Sequence, residues 1–547
     1  MGVDQTIDIT SGQRKTILAL LERHLPGTEA WVYGSRAKWT SRPQSDLDLV
    51  VFAKREQHRG IGDLRGAFEE SDLPFRVDLF VWDEVPKTFR KRIEAEHIVL
   101  VEGRDQDAAS HILFDTLPEG WKYTTLGSAC EVGGGDIQTG PFGSQLHASD
   151  YVVAGIPSIM PQNIGNNRIL TDGIARISSD DARRLSRYLV REGDIVYSRR
   201  GDVKRRALVR SAEDGWLCGT GCLRIRFGRN GVDSRYASYY LGHPLVQEWI
   251  VRHAHGATMP NLNTSILSEC PFVIPPKNEQ VAIARILGPL DDKIELNRRT
   301  NETLEEILRV LFKDWFVDFG PVRAKKQGRE PYLSREAWRL FPNAFDGEGV
   351  PAGWKQQSIY DFAEVIYGAP FASKQFNTNK IGVPLIRIRD LGTHNPSVST
   401  IEVHRKGHLI EPGDIVVGMD GEFRLHVWKG PRAWLNQRVC HFEPKSGVPK
   451  AFLAEAIKEP LAAFERGKVG TTVIHLGKSD IDTFELFQPG GSLLSAFDSV
   501  AEPLLKRTVA NALESRALSQ TRDLLLPKLI SGEVQIHEAE NAIGTVP

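Results

Sequence analysis

The sequence predicts an α/β (α+β) multidomain chain. An N-terminal mixed sheet with helices comes first, then two pseudo-symmetric α/β globules separated by an antiparallel coiled-coil helix pair. Three observations predict this. A heptad-spaced apolar seam runs from Ile283 to Trp315. A fainter copy lies 214 residues downstream. Ahead of each seam, the same sequence blocks recur in the same order.

The chain is long enough for several domains. Its hydrophobic content of 41% and charged content of 25% are those of globular proteins. Lys+Arg (69) and Asp+Glu (70) cancel, so a nucleic-acid face must come from local clustering. The five cysteines are scattered, and none completes a zinc-ligand pattern. No apolar run approaches the ~20 residues that span a bilayer, and no signal region opens the chain. The expectation is a cytoplasmic protein with reduced thiols and no membrane partner.

In order, residues 1–110 form the first module. Gln13 to Leu25 has helical spacing, and Ala30 to Tyr33 reads as a strand followed by GSRAKWTSRPQSDLDLVVF. Asp46 and Asp48 alternate with Leu47 and Leu49, so on a strand both carboxylates share one face. Asp78 lies in a further strand-like run, FRVDLFVW. Two Mg²⁺ ions on three carboxylates can clamp a nucleoside triphosphate for in-line attack at its α-phosphate. The Gly34-Ser35 turn can bring N–H groups and a hydroxyl to the leaving phosphates. Residues 12 to 103 resemble the minimal nucleotidyltransferases of the polymerase-β superfamily. The resemblance implies catalytic, metal-binding roles for Asp46, Asp48 and Asp78, and nucleotide contacts for Gly34, Ser35 and Arg36. It also implies Mg²⁺ and a nucleoside triphosphate as cofactors. A degenerate docking domain is the competing reading.

Residues 111–280 and 350–490 carry the repeated blocks. LPEGWKYTTLGSACEV (117–132) matches VPAGWKQQSIYDFAEV (350–365), and EGDIVYSRRGD (192–202) matches PGDIVVGMDGE (412–422). GIPSIMPQNIG (155–165) matches GVPLIRIRDLG (382–392), and residues 255–276 match 470–490. Each set of blocks ends in a helix, placed at 281–320 and 491–535. In the first, Ile283, Leu287, Leu290, Ile294, Asn297, Asn301, Leu304, Leu308, Leu311 and Trp315 step by four and three alternately, the seam of a coiled coil. Proline suits a first helical turn, so a helix from about Pro289 would run roughly 27 residues, about 40 Å. Adding 214 maps Ile283 to Phe497, Ile286 to Val500, Leu290 to Leu504, Asn297 to Asn511, Leu304 to Leu518 and Leu311 to Leu525. Asn297 opposite Asn511 would be a buried polar pair that fixes register. Residues 321–349 read as a charged connector and 536–547 as a tail.

The blocks LPEGW, PFGSQL, GDIVYSRRG, VPAGW, LLLPKLISGEV and the stretch from NEQVAIARIL to FVDFGPVRAK resemble specificity (S) subunits of type I restriction–modification systems. The resemblance covers about 111–535. It implies two target recognition domains reading halves of a bipartite site on double-stranded DNA, with the helices setting the spacing. It implies docking of methyltransferase (M) subunits, two per chain, and of restriction (R) subunits. It implies no catalysis in that part, and no methylation or Walker A motif is present.

Candidate DNA contacts follow from local chemistry. SRRGDVKRR places Arg199, Arg200, Lys204, Arg205 and Arg206 on a turn after a strand, suited to phosphate and base contact. Ser144 and Gln145 lie in a polar loop, and Asn261 offers an amide suited to adenine. In the second globule Arg387 and Arg389 alternate on a predicted strand, with Lys374 and Arg424 nearby. The matching turn there is less basic, so the two halves are expected to read different sequences. The spacer and partner residues are Asn297, Asn511, Leu304 and Trp315. An active Mg²⁺-dependent nucleotidyltransferase localised by a DNA reader is the alternative, and a repeat scaffold without DNA a third.

Overall fold

The computed structural model describes residues 7–26, 28–42, 45–53, 58–101, 113–114, 117–228, 231–254, 260–421, 423–467, 475–534 and 536. Residues 105–110, which read as a polar linker in the sequence, the loop 255–259, position 422 and the tail beyond 536 lie outside these. The chain divides into two compact units, Met1–Ala284 with Leu529–Ile536 and Arg285–Lys528 with His537–Pro547.

The first unit opens with α1 (Ser11–His24), β1 (Ala30–Tyr33), β2 (Leu47–Val51), α2 (His58–Glu69), β3 (Val77–Val81), α3 (Lys87–Ala95) and β4 (Ile98–Val101). Thr10 caps α1 in a reciprocal capping box with Gln13. The sheet order is β3-β2-β1-β4, with β2 and β3 parallel and β1 antiparallel to β2 and β4. Leu47, Leu49 and Val51 point into a core with Ile17, Leu21, Ile61 and Leu64. Alternation along β2 then turns Asp48 to the opposite face, beside buried Val50 and Tyr33.

The first globule follows with β5 (Lys122–Thr125), β6 (Asp136–Thr139), β7 (Tyr151–Val152), β8 (Ile156–Ile159), β9 (Ala175–Ile177), β10 (Ile195–Ser198), β11 (Arg206–Leu208), β12 (Leu217–Cys218), β13 (Cys222–Arg226) and β14 (Pro271–Ile274). The second unit carries β15 (Lys355–Ser358), β16 (Ala363–Tyr367), β17 (Phe376–Asn377), β18 (Val383–Ile386), β19 (Ser399–Thr400), β20 (Leu409–Ile410), β21 (Ile415–Gly418), β22 (Leu425–Val427), β23 (Ala433–Leu435), β24 (Val439–Pro444) and β25 (Glu485–Gln488). The duplication is visible in the pairing. Order β11-β10-β13-β6 becomes β22-β21-β24-β16, β12-β8-β9-β7 becomes β23-β18-β19-β17, and β14-β5 becomes β25-β15. The second half adds β20 beside β23. All five cysteines are free and buried.

The two long helices span Lys277–Phe312 and Gly491–Ser531. The first starts before the predicted position and passes through Pro289 without ending. A proline inside a helix removes one hydrogen bond and costs about 3 kcal/mol. Buried Ile283, Leu287 and Leu290 on both sides of it offset that loss by packing. Pro503 stands at the equivalent place in the second helix. Within the second unit the helices pair antiparallel. Arg522 bonds Asp291 at 2.6 Å, Asn297 donates to Glu514 at 2.8 Å, and Asn301 donates to the Thr508 carbonyl at 2.9 Å. Asn297 and Asn511 are each 2% exposed and meet, but side chain to backbone. The side-chain amide partner of Asn511 is Asn301, at 2.9 Å. Leu304 is half-buried on this seam. Val500 departs from its mapped place. It is 47% exposed, while Ala501 and Leu505 are buried, so the second seam is offset by one residue there.

Phe312, Trp315, Phe316 and Phe319 end the first helix in the second unit's core, against Phe341, Trp354, Phe452 and Phe497. Trp315, named with the spacer and partner residues, is 2% exposed and belongs to that core. The connector is also more built than expected. It forms helices Gly320–Lys326 and Arg335–Leu340, and its Val322 and Phe341 are buried. Among the described residues, no helix is long and apolar enough to cross a membrane.

Candidate nucleotidyl-transfer site and DNA-facing turns

Tyr33 ends β1, and Gly34 turns the chain at φ +79°. A Cβ at Gly34 would stand 2.2 Å from an Asp48 carboxylate oxygen, so only glycine lets the turn lie against that carboxylate. Asp48 and Asp78 are direct neighbours across the parallel β2–β3 pair. Asp46 precedes β2 and is exposed rather than sharing the strand. Burial raises the Asp48 carboxyl above its usual range, and the Asp78 and Asp46 charges raise it further. Burial and then the same Asp48 and Asp78 charges raise the Tyr33 phenol. Arg76 Nε holds Asp78 at 3.0 Å. An all-oxygen set of three carboxylates, with one guanidinium on Asp78 and cradled by a glycine turn, fits a hard divalent cation.

Arg36 is a correction. It is 5% exposed, and its guanidinium donates to the Ser45 carbonyl at 2.8 Å and the Asp8 carbonyl at 2.8 Å while lying over Phe75. It braces the loop that carries Asp46 and does not face a nucleotide.

In the first globule the β10–β11 turn leaves Arg200, Lys204 and Arg205 exposed. Arg199 is half-buried, with Nε donating to the Leu262 carbonyl at 3.2 Å and the guanidinium over exposed Phe142. Arg205 reaches Asp202 at 3.3 Å. Arg206 is a second correction. It is 4% exposed and donates to the Ser238 carbonyl at 2.7 Å, inside the fold. Ser144 is exposed, whereas the Gln145 oxygen accepts from the Tyr188 hydroxyl at 2.8 Å. Asn261 bridges to Arg200 in the backbone, and its buried Oδ1 has no partner among the described residues.

In the second globule the strand expected to carry Arg387 and Arg389 stops at Ile386. Arg387 caps the one-turn helix Ile388–Leu391, and its guanidinium bonds Asp390 at 3.3 Å. Arg389 is exposed on that helix, so the two do not share a strand face. Lys374 sits exposed in the turn Ser373–Gln375, and Arg424 is exposed ahead of β22. The turn after β21 carries Asp420, whose carboxylate meets His475 at 2.6 Å. Asp420 and His475 form a backbone bridge where the first half has Arg200 and Asn261.

The family described as type I restriction modification DNA specificity domain matches residues 118–306 and 351–489, together well over half of the chain. The chain belongs to this family. Residues 15–106 match the polymerase beta nucleotidyltransferase family. The specificity subunit of the type I restriction enzyme HindI of Haemophilus influenzae is 26% identical over 69% of this chain and 95% of its own length. A probable protein adenylyltransferase, MntA, of the same species is 35% identical over 18% of this chain and 85% of its own length. A crystal structure of a type I restriction–modification S subunit from M. genitalium covers 76% of this chain and 97% of its own, at 18% identity and a TM-score of 0.47. The protein is therefore a type I specificity subunit with an appended nucleotidyltransferase-like domain. His475, paired with Asp420 in the second globule of this specificity subunit, is a residue that sequence reasoning passed over. The 214-residue offset places it at the position of Asn261, and that signal could have found it.

Proposed function

We propose that this specificity subunit reads a bipartite, asymmetric site on double-stranded DNA, one half per globule, with the helix pair setting the spacing. The segmentation at 110, 280, 320, 349, 490 and 535 belongs to this reading, as does a cytoplasmic location. The unlike chemistry of the equivalent turns carries it. Arg199 and Arg200 in one half stand where Met419 and Asp420 stand in the other, and Arg200 pairs with Asn261 where Asp420 pairs with His475. Ser144, Gln145, Asn261, Lys374, Arg387 and Arg389 are further contacts of the same reading. M subunits, two by the duplication, and R subunits would dock on the complex and supply its catalysis.

The N-terminal domain would transfer a nucleotide to a hydroxyl of a protein or nucleic acid. Asp46, Asp48 and Asp78 would hold Mg²⁺, which when bound neutralises the triphosphate and activates its α-phosphate. Gly34 and Ser35 would orient the leaving phosphates. Co-expression with cognate M subunits tests the first part. A split methylation motif should appear in the host genome when both are present, and M should co-purify at about two per chain. Labelled ATP with Mg²⁺ and the partner subunits tests the second. Absence of label on any acceptor would leave the domain a docking module.

A further inference from the structure

Equivalent strands of the two halves carry different charge sets beneath the central sheet. In the first half, Asp194 accepts the Arg191 N–H at 2.8 Å and is forked by Arg226 at 2.6 and 2.7 Å. Arg224, 3% exposed, forks Asp136 at 2.6 and 2.7 Å. Two carboxylates thus meet two guanidiniums. In the second half Asp414 accepts the Glu411 N–H at 2.8 Å, the same turn. By strand register, however, His441 takes the place of Arg224, Glu443 that of Arg226, and Glu364 that of Asp136. Glu443 stands directly opposite Glu364 across antiparallel strands, where the first half pairs Arg226 with Asp136. Like charges in that position destabilise a sheet. Among the described residues, the ammonium that reaches this set is Lys450, at 2.9 Å from Asp414.

The donor geometry supplies an independent observation. His441 is fully buried, and its Nδ1–H donates to the Ile415 carbonyl at 2.9 Å. That bond fixes the ring and aims Nε2 at the Glu443 carboxylate, 2.6 Å away. A backbone carbonyl on the remote ring nitrogen is the usual outer support of a metal-bound histidine. One ligand atom each from Asp414, His441 and Glu443 lies within 4.8 Å of the others. The His408 ring stacks on His441 at 5.4 Å.

We propose that Asp414, His441 and Glu443 form a divalent-cation site in the second globule, with His408 and Glu364 at its rim. One imidazole nitrogen with carboxylate oxygens suits a borderline ion such as Zn²⁺. The ion supplies the two positive charges that two guanidiniums supply in the first half. Lys450, on Asp414, is its competitor and swings out to solvent when the metal binds.

The test uses the full chain, stripped with chelator and titrated with Zn²⁺ at neutral pH by calorimetry and thermal unfolding. An Asp46→Asn, Asp48→Asn double variant removes two of the three N-terminal carboxylates from the measurement. The expected result is saturable binding of a single Zn²⁺ per chain that persists in this double variant and raises the unfolding midpoint. Glu443→Gln, in a half-exposed side chain that leaves the fold intact, should weaken binding about tenfold or more. Lys450→Ala should tighten it. Equal affinity with and without Glu443→Gln would overturn the site. So would a chain that binds no Zn²⁺ saturably.

Discussion

At the scale of single residues, Gly34 and Asp48 decide the N-terminal site together. Gly34→Ala forces a Cβ onto the Asp48 carboxylate in a left-handed conformation, which should cost about 1–3 kcal/mol and displace the carboxylate. Thermal unfolding of the full chain, together with label transfer from ATP, reads both effects. Asp48 itself carries a raised folded-state pKa, from burial and then from Asp78 and Asp46. The folded state therefore holds that proton more tightly than the unfolded state. Stability is fully present below the ordinary carboxylate pKa and is lost as pH rises through the raised value. Asp48→Asn should then make the metal-free domain more stable at neutral pH while abolishing transfer. Mg²⁺ should raise the midpoint of the parent and leave the variant unmoved. A less stable Asp48→Asn chain at neutral pH would refute the crowding argument.

At the scale of elements, the helix pair is held by polar contacts on an apolar seam. Arg522 and Asp291 are 12% and 10% exposed. Arg522→Ala removes a charged hydrogen bond at 2.6 Å from the buried Asp291 carboxylate and should cost about 1.5–3 kcal/mol in chemical denaturation. Replacing both with leucine and methionine should cost less, which separates the lost ion pair from lost packing. Glu295 is held down to about 2 by hydrogen bonds from Arg298 and then Arg299, against burial. Its contribution is present above the ordinary carboxylate range and disappears as pH falls toward 2. Glu295→Gln should flatten the acid limb of the stability curve, and an unchanged limb would show that solvent screens the pair. The seam positions of the first helix were legible because spacing by four and three leaves few alternatives. Val500 was not, because a register offset of one residue is invisible until the partner helix is in place.

At the scale of the molecule, the two halves share a topology and differ in surface chemistry. Arg200→Ala should weaken DNA binding by the assembled complex and lower its salt dependence by about one unit per lost phosphate contact. Filter binding across a salt series measures this. Arg206→Ala should instead lower the unfolding midpoint, because its guanidinium is bonded inside the fold. A variant pair that behaved alike in both assays would remove the distinction between turn and core arginines. The same reasoning explains why Arg206 looked like a ligand contact in the sequence. A run of basic residues does not say which guanidiniums find carbonyls or carboxylates nearby.

By itself the sequence determined the duplication, the paired helices and the three carboxylates of the N-terminal domain. Periodicity and block order are properties of the chain, and they survive without coordinates. Only the tertiary structure decided which charges are buried and what answers them. Whether an arginine faces solvent or a carbonyl, and whether Glu443 meets an arginine or another glutamate, depends on strand register. Register is a relation between distant segments that local spacing does not encode.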